Sequence, residues 1–526
     1  MNSSLQAADM IPCINPATGE SLGNVKVDSP KDVEQIVAKA RIAQKDWAKS
    51  TFKQRRQVLT YIADYILMHV DSLCELIVND AGKTYENALL GEIMPTCNKI
   101  AWLKKYGEKY LQSEKVGSGI LMHKKGRIDY VPLGVVACII PWNYPLQNIV
   151  SSLVAPLMAG NAVILKPSEQ VAFSSQQFIN ITNQALEKAG FSPDTVQLVQ
   201  GYGESGAALI STGVDKILFI GSVANGRRII EASAEHITPV VMELGGKDPM
   251  IICDDAHLEK AVHSAIGGCF INLGQNCVAS ERMIVMDGIY DAFTQRVAEI
   301  ANAMRQGKAE RGGNVDVGSL TSPIQVDIVE RLVNDAVAKG ATVLAGGQRP
   351  SGKGCFYPPT ILTDLNDEMD IVNTEVFGPV MLVFKVKTES EAVALANRSE
   401  LGLQSSVITH DRLRGERIAN QLEAGATCIN DFGLCYVNQD LPFGGTKYSG
   451  YGVMNGRDGL RAYTTPKAIL ADRFPLEIPP VLFPVKPHDF ESAKASMRML
   501  FGSGVGYKLK QLCKLIGINI KTKFNQ

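Results

Sequence analysis

The sequence predicts an α/β protein with a doubly wound parallel sheet, a second α/β domain and a small exposed β arm. Two observations carry this. From Gly134, short apolar runs alternate with stretches of helical periodicity, the β-α-β-α texture of a parallel sheet that binds nucleotides at the carboxyl ends of its strands. After Thr238 the same texture returns and runs to about Thr427.

The elements follow in chain order. Ser29-Pro30 reads as an N-cap and a first-turn proline, and Val33, Ile36, Val37, Ala40, Ala43 and Trp47 follow at helical spacing. Lys124 to Pro132 alternates polar and apolar residues as an exposed hairpin arm would. Buried strands are expected at Val135–Ile140, Ala162–Leu165, Val196–Val199 and Ile217–Ile220. Helices are expected between them, near Leu146–Met158, Ser174–Ala189 and Glu204–Ile210, and after them near Ala224–Glu235. Further strands are Val240–Leu244, Met283–Met286 and Val380–Val383, and Asn430–Lys447 has the Gly, Asp and aromatic content of a functional loop. Residues 10–123 with 140–243 are expected to form the cofactor domain, and 244–428 the catalytic domain. Residues 124–139 with 429–474 are expected to form the bridging arm, and 475–526 a C-terminal extension. That extension contains the proline-rich run Ile478 to Pro484. From Ser492 onward it carries seven basic residues and no acidic one, with Leu509, Leu512, Cys513, Ile516 and Ile520 at helical spacing. A basic amphipathic helix is expected there, docked on the protein or on a neighbouring subunit; its alternative is reversible attachment to an anionic membrane surface.

Composition narrows the class. With 53 basic and 54 acidic side chains, 45% hydrophobic and 20% charged residues, the chain is a folded protein with no electrostatic case for nucleic acid. Its eleven cysteines are scattered and form no C-x-x-C pair, so neither a disulfide framework nor a metal site is expected. The first residues have no signal-peptide pattern, and no apolar run is long enough to span a bilayer, which gives a cytoplasmic expectation with peripheral membrane placement as the variant.

Four segments supply complementary chemistry. Gly274-Gln275-Asn276-Cys277 sets a thiol among small and polar residues, and Glu243-Leu244-Gly245-Gly246-Lys247 ends an apolar strand on a carboxylate followed by glycines. Pro141-Trp142-Asn143-Tyr144-Pro145 braces an amide between prolines, and Glu375-Val376-Phe377-Gly378-Pro379 offers a carboxylate beside an aromatic. The pattern Gly201-x-Gly203-x-x-Gly206 invites a dinucleotide fingerprint, but it follows the third strand of its unit and no acidic residue ends a strand about 20 positions on, so a structural turn is the preferred reading.

At these residues the chain closely resembles the aldehyde dehydrogenase superfamily. The resemblance runs from about Cys13 to Lys467 and rests on seven motifs in family order: Pro-Trp-Asn, Lys-Pro-Ser-Glu, Phe-x-Gly-Ser, Glu-Leu-Gly-Gly-Lys, Gly-Gln-x-Cys, Glu-x-Phe-Gly-Pro and Pro-Phe-Gly-Gly. The tail is similar to that of yeast and plant members with a hydrophobic N-terminal anchor, which the first residues of this chain do not suggest. The resemblance implies Cys277 as nucleophile, Asn143 as oxyanion donor and Glu243 as general base, with a thioester intermediate hydrolysed to a carboxylic acid. Transfer of the acyl group to coenzyme A is the enzymatic alternative, and a non-catalytic scaffold the other. The resemblance also implies NAD bound by Trp142, Lys166, Glu169, Gly221, Ser222, Glu375 and Phe377, with NADP disfavoured by the Glu169 carboxylate. A homodimer or homotetramer follows from the family's arm. Arg457 stands where many members have a second glutamate, so no second base is assigned, and Ile220 stands before Gly221 where the family often has Thr. Phe270, Leu273, Val278, Phe432, Leu434 and Tyr436 are expected at the substrate entrance, which favours an apolar aliphatic or aromatic aldehyde.

Overall fold

In the computed structural model, residues 9–475 and 483–524 are described. The first eight residues and most of the proline-rich run after Pro475 lie outside the described residues. The chain divides into two compact units, Met1–Glu114 with Ile128–Ala468, and Lys115–Arg127 with Ile469–Gln526.

The larger unit contains two parallel-rich sheets. The first has the spatial order Gly450–Tyr451, Val240–Leu244, Lys216–Gly221, Val135–Ile140, Ala162–Pro167 and Val196–Leu198. All neighbours are parallel except Gly450–Tyr451, which returns antiparallel with Gly450 opposite Glu243. Sequence order therefore reverses between Val135–Ile140 and Lys216–Gly221, and a crevice opens past the carboxyl ends of strands at such a switch point. The near-continuous burial of Val135–Ile140 and Ala162–Pro167 reflects sheets covered on both faces. Pro145–Ala159, buried at every residue, and Ala172–Lys188 supply one cover. Pro30–Trp47 belongs to the other, started by a reciprocal capping box between Ser29 and Asp32 with Pro30 in the first turn.

The second sheet has seven strands, in the order Thr342–Ala345, Thr360–Thr363, Val380–Val386, Ser280–Met286, Asp248–Ile252, Gln404–Ile408 and Ala426–Ile429. Only the first pair is antiparallel. Separate apolar cores lie on its faces, one around Met250, Met283 and Phe293, another around Val329, Leu332 and Tyr357.

A three-stranded sheet is formed by Thr464–Asp472, Lys124–Pro132 and Glu114–Val116. The smaller unit ends in two helices, Asp489–Phe501 and Val505–Phe524, where Glu491 pairs with both Lys494 and Lys514. Phe490, Met497, Phe501, Val505 and Leu509 remain exposed on them. Among the described residues no helix is long and apolar enough to cross a membrane.

Candidate active site

One cavity of about 720 Å³ opens at the switch point of the first sheet. All ten residues proposed from the sequence for catalysis and cofactor binding line it: Trp142 and Asn143 beyond the first strand, Lys166 near the end of the second and Glu169 beyond it, Gly221 ending the fourth and Ser222 beyond it, Glu243 near the end of the fifth, and Cys277, Glu375 and Phe377 from the other side. The Gly-x-Gly-x-x-Gly segment does more than turn. Gly201, at φ 148°, does serve a tight approach, because a Cβ there would meet Ser205 Oγ at 2.1 Å. Gly203 and Gly206 nevertheless line the cavity, so this segment is also wall.

Cys277 is seated by an unusual loop. Asn272, Leu273 and Gly274 are consecutively left-handed, at φ 50°, 54° and 67°, which turns the chain sharply after the helix Leu258–Phe270. Two non-glycine residues hold this conformation because their partners are fixed. The Asn272 N–H donates to Asn87 Oδ1 at 2.7 Å, and its side-chain amide donates to the carbonyls of Asn143 and Gln275 at 2.9 and 3.1 Å. The fully buried Gln275 side chain donates to Asn272 O at 3.0 Å and accepts from the Thr321 N–H at 2.9 Å.

Asn143 is tied into the same loop. Its Nδ2 donates to Gln275 O at 3.1 Å, using one of two amide hydrogens, and its Oδ1 accepts from Asn148 at 3.1 Å. Its own carbonyl accepts from Lys83 Nζ at 2.7 Å. Lys83 in turn pairs with Glu92 at 2.7 Å, both essentially without solvent exposure, and lies 4.1 Å from the Tyr144 ring centroid. Glu92 Oε2 accepts from the Leu146 N–H at 2.7 Å and the Gln147 N–H at 3.3 Å, capping the wholly buried helix. A single π-turn, Leu89–Ile93, presents Glu92, and Gly91 within it leaves the space occupied by the Tyr144 ring.

Glu243 is 3% exposed, and its Oε1 has no hydrogen-bond partner among the described residues. Burial pushes its carboxyl up from 4.5 to about 7, while hydrogen bonding with the Cys277 thiol pulls the other way. Burial, and then the charges of Glu243, Glu375 and Asp248, hold the Cys277 thiol well above its ordinary range. A protonated thiol thus faces a carboxyl that titrates near neutrality, a pair able to pass a proton between them.

The Glu375 carboxyl, pushed up to about 8 mainly by burial, accepts from the Gly246 N–H at 3.1 Å. Gly245 makes that seat possible, since a Cβ on it would come within 1.9 Å of Glu375 Oε2. The loop is held from behind by Glu281, which pairs with buried Lys247 and accepts from the N–H groups of Val376 at 3.0 Å and Phe377 at 3.1 Å. Gln325 clamps the Val376 and Phe377 carbonyls at 2.9 and 3.1 Å, and the Phe377 ring stands edge-on to Trp142 with centroids 5.4 Å apart. Burial lowers the Lys166 ammonium. Ser222 caps Val223–Ser233 and leaves that helix's first N–H groups at the cavity rim.

The substrate side differs from the sequence expectation. Phe270 and Leu273 are 3% and 2% exposed and pack into the two cores of the seven-stranded sheet, because the left-handed turn carries them away from the thiol. Val278 is likewise core. Phe432 packs over Gly267 and Gly268, and Leu434 is half exposed. Tyr436 does stand by the reacting groups: its hydroxyl meets Gln147 Nε2, its ring meets Phe443 edge-on at 4.9 Å, and the charges of Glu243 and Cys277 act on it. Lys83, Glu92, Glu281 and Gln325 carry no local signal in the sequence that would have singled them out.

The sequence model of the aldehyde dehydrogenase family matches residues 4–469. The chain belongs to the aldehyde dehydrogenase family. An aldehyde dehydrogenase-like protein of Schizosaccharomyces pombe is 37% identical over 504 residues, covering 94% of this chain and 96% of the relative. A 4,4'-diapolycopene aldehyde oxidase of a Methylomonas species is 35% identical over 494 residues, covering 94% and 91%. Among solved structures, the NAD+ complex of an aldehyde dehydrogenase from Bacillus cereus is similar with a TM-score of 0.84 at 35% identity, covering 88% of this chain and 94% of that one. Members of this family are oxidoreductases of the aldehyde group, and the α/β architecture matches their solved structures.

Proposed function

We propose that this chain oxidises an apolar aldehyde to the carboxylate with NAD+, through a thioester on Cys277. The observation that carries the reading is the convergence of Cys277, Glu243 and Asn143 on one cavity whose remaining walls are strand ends and a helix N-terminus. Glu243 accepts the thiol proton as the sulfur attacks the aldehyde carbon. The free Nδ2 hydrogen of Asn143 and the Cys277 backbone N–H hold the resulting oxyanion, a contact of a kind whose loss costs about 3 kcal/mol. Collapse of that adduct expels hydride and leaves the thioester. Glu243, buried and unpartnered at Oε1, gives up the thiol proton to solvent and, as carboxylate again, takes a proton from the water that attacks the thioester. This carboxyl also favours hydrolysis over transfer to coenzyme A.

The residues present fit NAD. Gly245 leaves the space in which the Glu375 carboxyl sits at the cavity wall, space that a Cβ would fill, and the cavity is of dinucleotide size. When bound, the oxidised nicotinamide supplies the hydride acceptor. Lys166 and Glu169 would hold the adenosine ribose, Gly221 and Ser222 the pyrophosphate, and Glu375 the nicotinamide ribose. Trp142 and Phe377 would pack at the nicotinamide end. The Glu169 carboxylate disfavours a 2'-phosphate by charge. On this reading residues 10–123 with 140–243 form the cofactor domain together with Val135–Ile140 and Gly450–Tyr451, strands of its sheet that the expected bounds had put in the arm, and 244–428 form the catalytic domain, while Lys124–Pro132 with Thr464–Asp472 join subunits of a homodimer or homotetramer.

The apolar substrate is supported by Tyr436, which stands by the reacting groups with its ring against Phe443, and by the 4,4'-diapolycopene aldehyde in the name of the Methylomonas relative. The exposed apolar side chains on the two C-terminal helices, interleaved with lysine and arginine, support peripheral contact with anionic lipid at a cytoplasmic surface. Equal co-sedimentation of intact and tail-deleted protein with anionic liposomes would remove that part.

The deciding experiment is rapid mixing of the enzyme with NAD+ and a panel of aliphatic, aromatic and charged aldehydes, following reduced cofactor. The expected result is turnover on apolar aldehydes, no signal for Cys277→Ala and a single turnover for Glu243→Gln. NAD+ binding with no turnover of any aldehyde would instead favour the scaffold reading.

A further inference from the structure

Cys428 lies in the edge strand Ala426–Ile429, and Cys435 sits in the short helix Leu434–Val437 that follows. The chain between them reverses through two left-handed residues, Asn430 at φ 60° and Gly433 at φ 68°, which fold the helix back over the strand. The two sulfurs are 3.3 Å apart, the Cys428 thiol donating to Cys435 Sγ, and Cys435 Sγ is 3.5 Å from Thr427 O. Cys428 is buried and Cys435 half-buried, beside the exposed Leu434, so a small oxidant reaches the second sulfur first. A disulfide has a sulfur separation of about 2.05 Å, so closure asks for a movement of only about 1.3 Å from the present 3.3 Å.

We propose that Cys428 and Cys435 form a redox-active dithiol that hydrogen peroxide converts to a disulfide. The Cys435 thiolate takes one peroxide oxygen, the O–O bond breaks, and the other oxygen leaves as water with the thiol proton, giving a sulfenic acid. The Cys428 sulfur then attacks the sulfenic sulfur, and the departing hydroxyl takes the Cys428 proton as a second water. Two thiols lose two electrons and one peroxide becomes two waters.

Two further observations favour this pair over the other thiols. The hydrogen bond from Cys428 holds Cys435 below its ordinary range, whereas burial raises Cys13, Cys74, Cys97, Cys138, Cys253 and Cys269. Tyr436, the next residue, touches Gln147 and Phe443 and feels the charges of Glu243 and Cys277, so drawing Cys435 toward the strand shifts one wall beside the thiol. The consequence for activity rests on the site reading above; the bond itself does not.

The test is peroxide treatment of the full chain, alkylation of the remaining thiols and peptide mapping with a protease that cuts after Phe432, which separates the two cysteines. The expected result is a peptide pair joined through Cys428 and Cys435, released by dithiothreitol, in wild type and in Cys277→Ser alike. Both cysteines recovered alkylated, Cys435 as a sulfinic acid, or Cys435 joined to Cys277 would each overturn the proposal. The oxidised enzyme should show a several-fold rise in KM for aldehyde, reversed by dithiothreitol, with NAD+ affinity unchanged, and Cys435→Ser should show no such rise. An unchanged KM alongside the mapped bond would discard the link to the substrate wall while retaining the dithiol. Failure of turnover on every aldehyde would leave the mapping result intact, so the two readings fail separately.

Discussion

Replacing Glu243 with glutamine tests the electrostatics of the site directly. Burial moves this carboxyl from 4.5 in the unfolded chain to about 7 in the fold. The folded protein therefore keeps the proton after the unfolded chain has lost it. Stability lent by this group is complete below pH 4.5 and is lost as pH rises through 7. At about 1.4 kcal/mol per pH unit, the charged side chain costs the fold about 3 kcal/mol at pH 8. Glu243→Gln keeps the shape and removes the charge. Its thermal midpoint relative to wild type should therefore climb by several degrees between pH 5 and pH 8, measured under reducing conditions across that range. Cys277→Ala should push the carboxyl higher still, since the hydrogen bond with the thiol is what pulls it down. In wild type, thioester hydrolysis should rise with pH through about 7, and the rise should vanish in the glutamine variant. If the stability difference between Glu243→Gln and wild type is the same at pH 5 and pH 8, the carboxyl is not buried as a proton acceptor and the reasoning fails.

Three other outcomes follow from the same geometry. Lys83→Met leaves Glu92 buried without its cation and takes from Asn143 O one of its two donors, Asn272 Nδ2 remaining, and should cost about 3–5 kcal/mol in chemical denaturation; a loss under 1 kcal/mol would mean that solvent reaches the pair. Gly245→Ala sets a Cβ 1.9 Å from Glu375 Oε2 while the backbone tolerates it, so the chain should fold normally but bind NAD+ about ten- to hundredfold more weakly by calorimetry, the worth of a charge-assisted hydrogen bond. Full affinity there would show that Glu375 does not face the cofactor. Because burial, and then Glu243, Glu375 and Asp248, hold the Cys277 proton on, the cationic nicotinamide should help draw it off: iodoacetamide should alkylate Cys277 about tenfold faster at pH 7 with NAD+ present, and no acceleration would place the ring elsewhere.

What the sequence disclosed and what it hid divide along chain distance. Strand ends carry their chemistry in contiguous motifs: Trp142, Asn143 and Glu243 stood out in their own segments, Lys166, Glu169, Gly221 and Ser222 only through the family resemblance, and parallel pairing brings these strand ends to one cavity. The capped helix from Pro30 and the apolar strand Val135–Ile140 were legible for the same reason: cap and periodicity are local. Groups that fix the site from a distance left no such trace. Glu92 reaches residues 54 positions away and Lys83 reaches 60, through a π-turn that no periodicity announces. Phe270 and Leu273 looked like entrance residues because they precede Cys277, but proximity in sequence says nothing about facing when the chain turns through left-handed Asn272, Leu273 and Gly274 on its way to the thiol.

The site's electrostatics show why these remote supports are needed. Glu243, Glu375, Glu281 and Asp248 surround the thiol's loop, yet the buried cations nearby are committed: Lys247 to Glu281, and Arg282 to the carbonyls of Lys247, Leu395 and Ala396. Uncompensated buried carboxyls drift toward neutrality, and Glu243 and Glu375 do so, to about 7 and about 8. A site that left these groups free to move would relax by turning them to water. Gly245 and Gly246 let Glu375 be gripped by backbone, and Gly450, pairing opposite Glu243, lies so close that a Cβ there would meet Met242 O at 2.0 Å. The motif glycines thus keep the carboxyls crowded around Cys277 by leaving the backbone no room to retreat.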